Sequence, residues 1–281
     1  MAVESFAITN RITDLAVPRQ GSRLWADMMP ILSFLAAVAV CEWVFVYRDV
    51  AYGIVIALFL ALAIYLVNAL LIPDTPLSVC LSTLALIPLY ILFTSSLPWF
   101  FIDQQYLIPA VYSIVLILCF LYIYHRQLSI SAIFNFQWKK LSVYLPIGII
   151  VGVPLGVIEY LVLRPAPAFP TFEVSYLLQQ TLFMGIFVAV GEELLFRGLI
   201  QNDLMRLLGD GWGLLMAGLL FCIMHMTWRS APELGFTFLA GLVFGYAYYR
   251  TKSLTMPMVM HCVGNVILVA VMPYLLGNVH F

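Results

Sequence analysis

Residues 52–72 read Tyr-Gly-Ile-Val-Ile-Ala-Leu-Phe-Leu-Ala-Leu-Ala-Ile-Tyr-Leu-Val-Asn-Ala-Leu-Leu-Ile, an apolar run without a charged side chain. A helix needs about 20 residues to cross the hydrocarbon of a bilayer, and in lipid the backbone must satisfy its polar groups within itself. The stretch therefore predicts a membrane-spanning helix, and the chain around it repeats the pattern. Apolar segments at 28–46, 52–72, 77–98, 106–125, 142–163, 174–198, 212–227, 233–250 and 255–276 predict an all-α, polytopic transmembrane bundle of about nine crossings, with eight as the alternative. Turn chemistry separates them, as in Pro73-Asp74-Thr75-Pro76, Arg164-Pro165-Ala166-Pro167 and Gly209-Asp210-Gly211.

Composition agrees. The chain is 64% hydrophobic and 10% charged, with a mean hydropathy of +1.03, whereas a soluble domain carries roughly 25% charged residues. A net charge of -1 provides no global field for nucleic acid, so no nucleic-acid partner is expected. Five cysteines scattered through apolar runs, with no Cys-x-x-Cys pair, form neither a disulfide framework nor a zinc finger. The first 27 residues lack an apolar core and do not read as a cleaved signal peptide.

Orientation follows from the thirteen Lys and Arg. With nine crossings and a cytoplasmic N-terminus, one side holds Arg11, Arg19, Arg23, Arg126, Lys139, Lys140, Arg197, Arg206, Arg250 and Lys252. The other holds Arg48, Arg164 and Arg229. That asymmetry satisfies the positive-inside rule. The expected organisation is a cytoplasmic segment 1–27, accessory helices over 28–125, a basic cytoplasmic connection 126–141 and a functional bundle over 142–277. The stretch Ile130 to Lys140, with Phe134, Phe136 and Trp138, reads as an interfacial anchor or an ordinary basic loop.

Against this background Gly191-Glu192-Glu193-Leu194-Leu195-Phe196-Arg197 stands out. A charge at the centre of a membrane helix costs roughly 2.5 to 3.5 kcal/mol on insertion scales, so three close together mark a candidate site. Glu193 and Arg197 stand four residues apart with the acid first, the favourable order for an intrahelical pair. Glu192 points about 100° away and is left without that partner. The bland alternative is an ion-pair knot that fixes helix packing. Two more polar groups follow. His225 closes Phe221-Cys222-Ile223-Met224-His225, and His261 and Asn265 share one helix face. Either could serve only as an interhelical hydrogen-bonding group, and a Cys222–His225 nucleophile is disfavoured because small buried cysteines are common fillers. At 1.5 Å per residue Glu192 and His225 lie about 26 and 21 Å from the Gly209 turn, while His261 and Asn265 lie about 13 and 20 Å from Lys252. All four can meet at one depth.

Glu192-Glu193-x-x-x-Arg197, Phe221-x-x-x-His225 and His261-x-x-x-Asn265, in this order, resemble the motifs of the CPBP family, the CAAX prenyl proteases and bacteriocin-processing enzymes also called Abi. The resemblance covers roughly residues 140 to 277. It implies an intramembrane endopeptidase acting on a membrane-anchored peptide or protein. Glu192 would activate water, His225 would move protons, Glu193 and Arg197 would orient the site, and His261 with Asn265 would hold the oxyanion. Members have been described as glutamic proteases and as metalloproteases. The metal-free version, with no cofactor, is favoured here because there is no His-Glu-x-x-His helix; a zinc version would use Glu192, His225 and His261. Many members are bacterial, so a bacterial plasma membrane is the expected location, and CAAX tails, bacteriocins and regulatory peptides are all candidate substrates. A transporter or non-catalytic scaffold is the rival from another class, disfavoured by the absence of half-repeats and by the completeness of the motifs.

Overall fold

The computed structural model describes residues 21–168 and 171–276, and the described residues form helices with no strand among them. Most of the predicted segment 1–27, including Arg11 and Arg19, lies outside the described residues; its end is already helical, because α1 runs Gly21–Tyr47. Asp49 then accepts from the backbone N–H groups of Ala51 and Tyr52, satisfying two of the donors that a helix start leaves free, and α2 follows over Val50–Leu70. The run predicted at 77–98 is two helices, α3 (Pro76–Leu84) and α4 (Leu86–Ser95), which meet at Ala85. Next come α5 (Leu107–His125), the short α6 (Ile130–Phe134) and α7 (Leu141–Leu163).

The helical run that carries the acidic pair is not uniform. It passes from α8 (Val174–Leu182) through a π-helical stretch Phe183–Ala189 into α9 (Val190–Glu193), then a second π-helical stretch Leu194–Gln201, and ends as α10 (Asn202–Leu208). Wide π turns are rare and gather at functional sites. The chain then forms α11 (Asp210–Ile223), α12 (Ala231–Thr251) and α13 (Thr255–Val266), which continues through Ile267–Val271 into α14 (Met272–Leu276).

Among the described residues, seven helical stretches are long and apolar enough to cross a membrane: Leu24–Tyr47, Val50–Leu70, Pro76–Ser95, Gln104–His125, Ile130–Leu163, Asp210–Trp228 and Thr255–Leu276. The other two predicted segments, 174–198 and 233–250, are helical but are not among the seven. The physical reason is their content: the first carries Glu192, Glu193 and Arg197, and the second lies in α12, which includes Glu233 and Arg250. The protein is an integral membrane helical bundle.

Contacts sort the turns to two ends. At one, Arg126 pairs with Asp74 at 3.0 Å, and Asn135 and Gln137 donate to the carbonyls of Lys252 and Thr251. The connection 126–141 is therefore docked on the turn between α12 and α13. At the other end Arg229 donates to the carbonyl of Val46, joining the end of α1 to the turn after α11. Close packing of α7 on α13 positions the last motif. Gly148, Gly152 and Gly156 repeat every four residues on one face of α7; a Cβ on Gly152 would stand 2.6 Å from the carbonyl oxygen of Met260, and one on Gly156 would strike that of Gly264. Only glycine lets the two backbones approach so closely, a device typical of membrane helices.

Candidate active site

Glu193 and Arg197 realise the predicted pair. Arg197 Nη1 donates to Glu193 Oε1 at 3.1 Å across the start of the second π-helical stretch, and both side chains are fully enclosed. Arg197 Nη2 donates to the carbonyl of Gly241 on α12, and its guanidinium lies 4.5 Å from the ring of Phe221. A buried cation that is hydrogen-bonded and stacked on an aromatic face keeps its charge compensated. The same Glu193 oxygen accepts from His261 Nδ1 at 2.8 Å. Glu193 thus ties α9 to α13, while the His261 ring stacks on Phe244 at 5.1 Å.

The carboxylate–imidazole bond fixes the tautomer. A carboxylate only accepts, so Nδ1 of His261 carries the hydrogen and Nε2 is left to exchange a proton. That nitrogen stands 3.8 Å from Glu192 Oε2, which has no hydrogen-bond partner among the described residues. Glu192 is not partnerless, however. Its Oε1 accepts from the hydroxyl of Tyr112 at 2.6 Å, a residue of α5. One oxygen is thus anchored and the other is open.

His225 sits just beyond the end of α11, not within it. The last carbonyls of a helix have no intrahelical donors, and His225 Nδ1 engages one of them, the carbonyl of Phe221, at 2.7 Å. Its ring packs 4.4 Å from that of Phe221. This explains the Phe-x-x-x-His spacing: the backbone at 221 orients the imidazole, and the Phe221 ring also meets Phe196, His261 and Arg197. Glu192 and His225 face one cavity of about 160 Å³. Asn265 lies one turn beyond His261, half-buried and with no hydrogen-bond partner among the described residues. The arrangement therefore brings Glu192, Glu193, Arg197, His225 and His261 together and leaves Asn265 beside them, one turn along α13.

The wall opposite this cluster comes from the N-terminal helices. Glu42 of α1, Tyr90 of α4 and Tyr112 of α5 line the cavity with Glu192, His225 and Trp228. The cavity is thus at the end of the bundle remote from the Gly209 turn, where Arg229 meets Val46. A larger groove of about 490 Å³, between α7, α12 and α13, has an almost wholly apolar lining that includes Val151, Tyr246 and Met260. None of Glu192, His225 or His261 opens into it, whereas Glu192 and His225 line the smaller cavity.

Tyr112 and Glu42 were missed in the sequence for different reasons. Tyrosine is common in apolar helices, and nothing local marks Tyr112. Glu42 is itself an ionisable residue inside a predicted span, which is a sufficient signal. Glu159 of α7 and Glu233 of α12 carry the same signal. Both oxygens of the fully buried Glu233 lack a hydrogen-bond partner among the described residues. No three His, Cys, Asp or Glu side chains are gathered as a metal-holding set among the described residues.

No curated protein and no solved structure matches the chain. Residues 174–267, which contain all three motifs, match the family model described as type II CAAX prenyl endopeptidase Rce1-like. Over that segment the match supports the CAAX-protease resemblance that the motifs carry.

Proposed function

We propose that the chain hydrolyses a peptide bond of a membrane-anchored substrate with Glu192 as the base that activates water. The observation that carries this reading is the asymmetry of Glu192. Tyr112 holds one oxygen at 2.6 Å, and the other, without a hydrogen-bond donor among the described residues, lies 3.8 Å from His261 Nε2. A water between Oε2 and a substrate carbonyl loses its proton to Glu192 as its oxygen bonds to the carbonyl carbon. The proton passes to Nε2 of His261, whose Nδ1–H is anchored on Glu193, the arrangement in which an imidazole takes up and returns a proton. Protonated His261 and the amide of Asn265 donate to the oxyanion. Collapse of the intermediate breaks the C–N bond, and the leaving amine takes from His261 the proton that the water gave up, with His225 beside them to relay it. The products are a carboxylate and an amine.

A zinc version would draw on Glu192, His225 and His261. Both imidazoles are held at Nδ1 with Nε2 free, as ligand histidines are, but the three side chains are not gathered as one ligand set. That favours the metal-free reading. Purified protein in vesicles is incubated with a fluorogenic library of membrane-anchored peptides. Glu192→Ala lowers cleavage by about 10²- to 10⁴-fold, and a chelator leaves the wild type unchanged. Equal cleavage by Glu192→Ala defeats the base assignment; chelator sensitivity transfers the mechanism to zinc.

A further inference from the structure

The cavity holds a second carboxylate that hydrolysis does not use. Glu42 of α1 is only 4% exposed, yet it opens into the same cavity as Glu192. None of the ion pairs among the described residues involves it. The nearby cations are engaged elsewhere: Arg48 lies over the ring of Trp43, and Arg229 donates to Val46 and lies over Tyr47. A cation brought into the cavity would compensate this carboxylate where little water can. The rest of the lining suits a cation as well. Phe45, Tyr90 and Trp228 surround the same space, and aromatic faces attract ammonium and guanidinium groups. Tyr90 lines the same cavity as both Glu42 and Glu192.

Resting on the endopeptidase reading, we infer that Glu42, with Phe45, Tyr90 and Trp228, forms a specificity subsite for a Lys or Arg side chain of the substrate close to the scissile bond. A metal ion is the poorer occupant, because no three His, Cys, Asp or Glu groups among the described residues gather to hold one. Glu42 is five residues from the end of α1, about 7 Å along the axis. A basic side chain therefore reaches it from the end of the bundle without crossing the apolar core, its methylenes lying along the aromatic rings.

The test uses the full chain in vesicles and anchored peptides that differ at one position, Lys, norleucine or Glu, scanned through three residues on each side of the cut. Wild type should prefer Lys over norleucine by at least about tenfold in kcat/KM at one position, with Glu the poorest. In Glu42→Gln the Lys-to-norleucine ratio should fall to about one, and in Glu42→Lys the preference should move to the Glu peptide. Each ratio is taken within one protein, so partial loss of folding does not distort it. If Glu42→Gln does not fold, the wild-type ratio decides. Ratios within about twofold at every position overturn the subsite while leaving the protease intact, as does a wild-type ratio retained by Glu42→Gln. Absence of any cleavage by wild type defeats the endopeptidase reading, and the subsite with it.

Discussion

The two halves of the chain solve opposite problems with the same material. Helices α7 to α14 gather ionised groups and enclose them: Arg197 and Glu193 bond to each other, and His261 and Gly241 complete the set. Helices α1 to α5 contribute few polar groups, and those that face inward, Glu42, Tyr90 and Tyr112, meet the cavity one at a time. The C-terminal half bonds Arg197, Glu193 and His261 to one another, whereas the N-terminal half lines the cavity that Glu192 faces and holds that carboxylate through Tyr112.

The largest expected effect breaks the C-terminal network alone. Arg197→Met should leave Glu193 buried with its cation removed and lower stability by about 3 to 5 kcal/mol, the usual result of stripping one partner from a buried pair. Thermal unfolding in detergent measures it. A change below about 1 kcal/mol would mean that His261 compensates Glu193 by itself. Tyr112→Phe tests the other half. It deletes one hydrogen bond to the Glu192 carboxylate and should reduce kcat/KM by about 10- to 100-fold, equivalent to about 1.5 to 3 kcal/mol for a bond to a charged group. Stability should also fall, by about 1 to 3 kcal/mol, because the buried carboxylate loses its donor although the ring still fills its place. Unchanged turnover would return the N-terminal helices to a purely supporting role.

Gly152→Ala sharpens the comparison through packing. A methyl group 2.6 Å from the Met260 carbonyl oxygen must push α13 away from α7, at about 1 to 3 kcal/mol of overpacking strain. Cleavage should fall more than stability, because α13 carries His261. The smallest effect belongs to Thr83→Val. Thr83 of α3 donates to Asp203 of α10 at 2.5 Å, a buried tie between the halves. Losing it leaves Asp203 with its weaker Arg206 contact at 3.4 Å and should lower stability by about 1 to 2 kcal/mol without changing peptide preference. Equal loss of activity would show that the tie also sets the cavity wall.

Much of the fold was legible because membrane helices obey a one-dimensional rule: length and apolarity suffice, and turn residues punctuate. The departures occur where that rule has competition. Residues 77–98 break at Ala85, and the segments at 174–198 and 233–250 gave up apolarity to hold charged groups. The Glu193–Arg197 pair was legible from spacing, since residues four apart meet on a helix even when one turn is widened. The glycine repeat at 148, 152 and 156 was equally visible but acquires meaning only from its partner α13.

The sequence by itself determined that the chain is a bundle of membrane helices with a cluster of costly charges in its second half, because both follow from composition and local periodicity. Only the tertiary structure decided what each carboxylate faces. Glu193 met His261 across 68 positions of sequence and Glu192 met Tyr112 across 80. Such contacts depend on which helices pack together and how each is rotated, and helix rotation in a bundle is set by close-packed neighbours rather than by any residue's own preference.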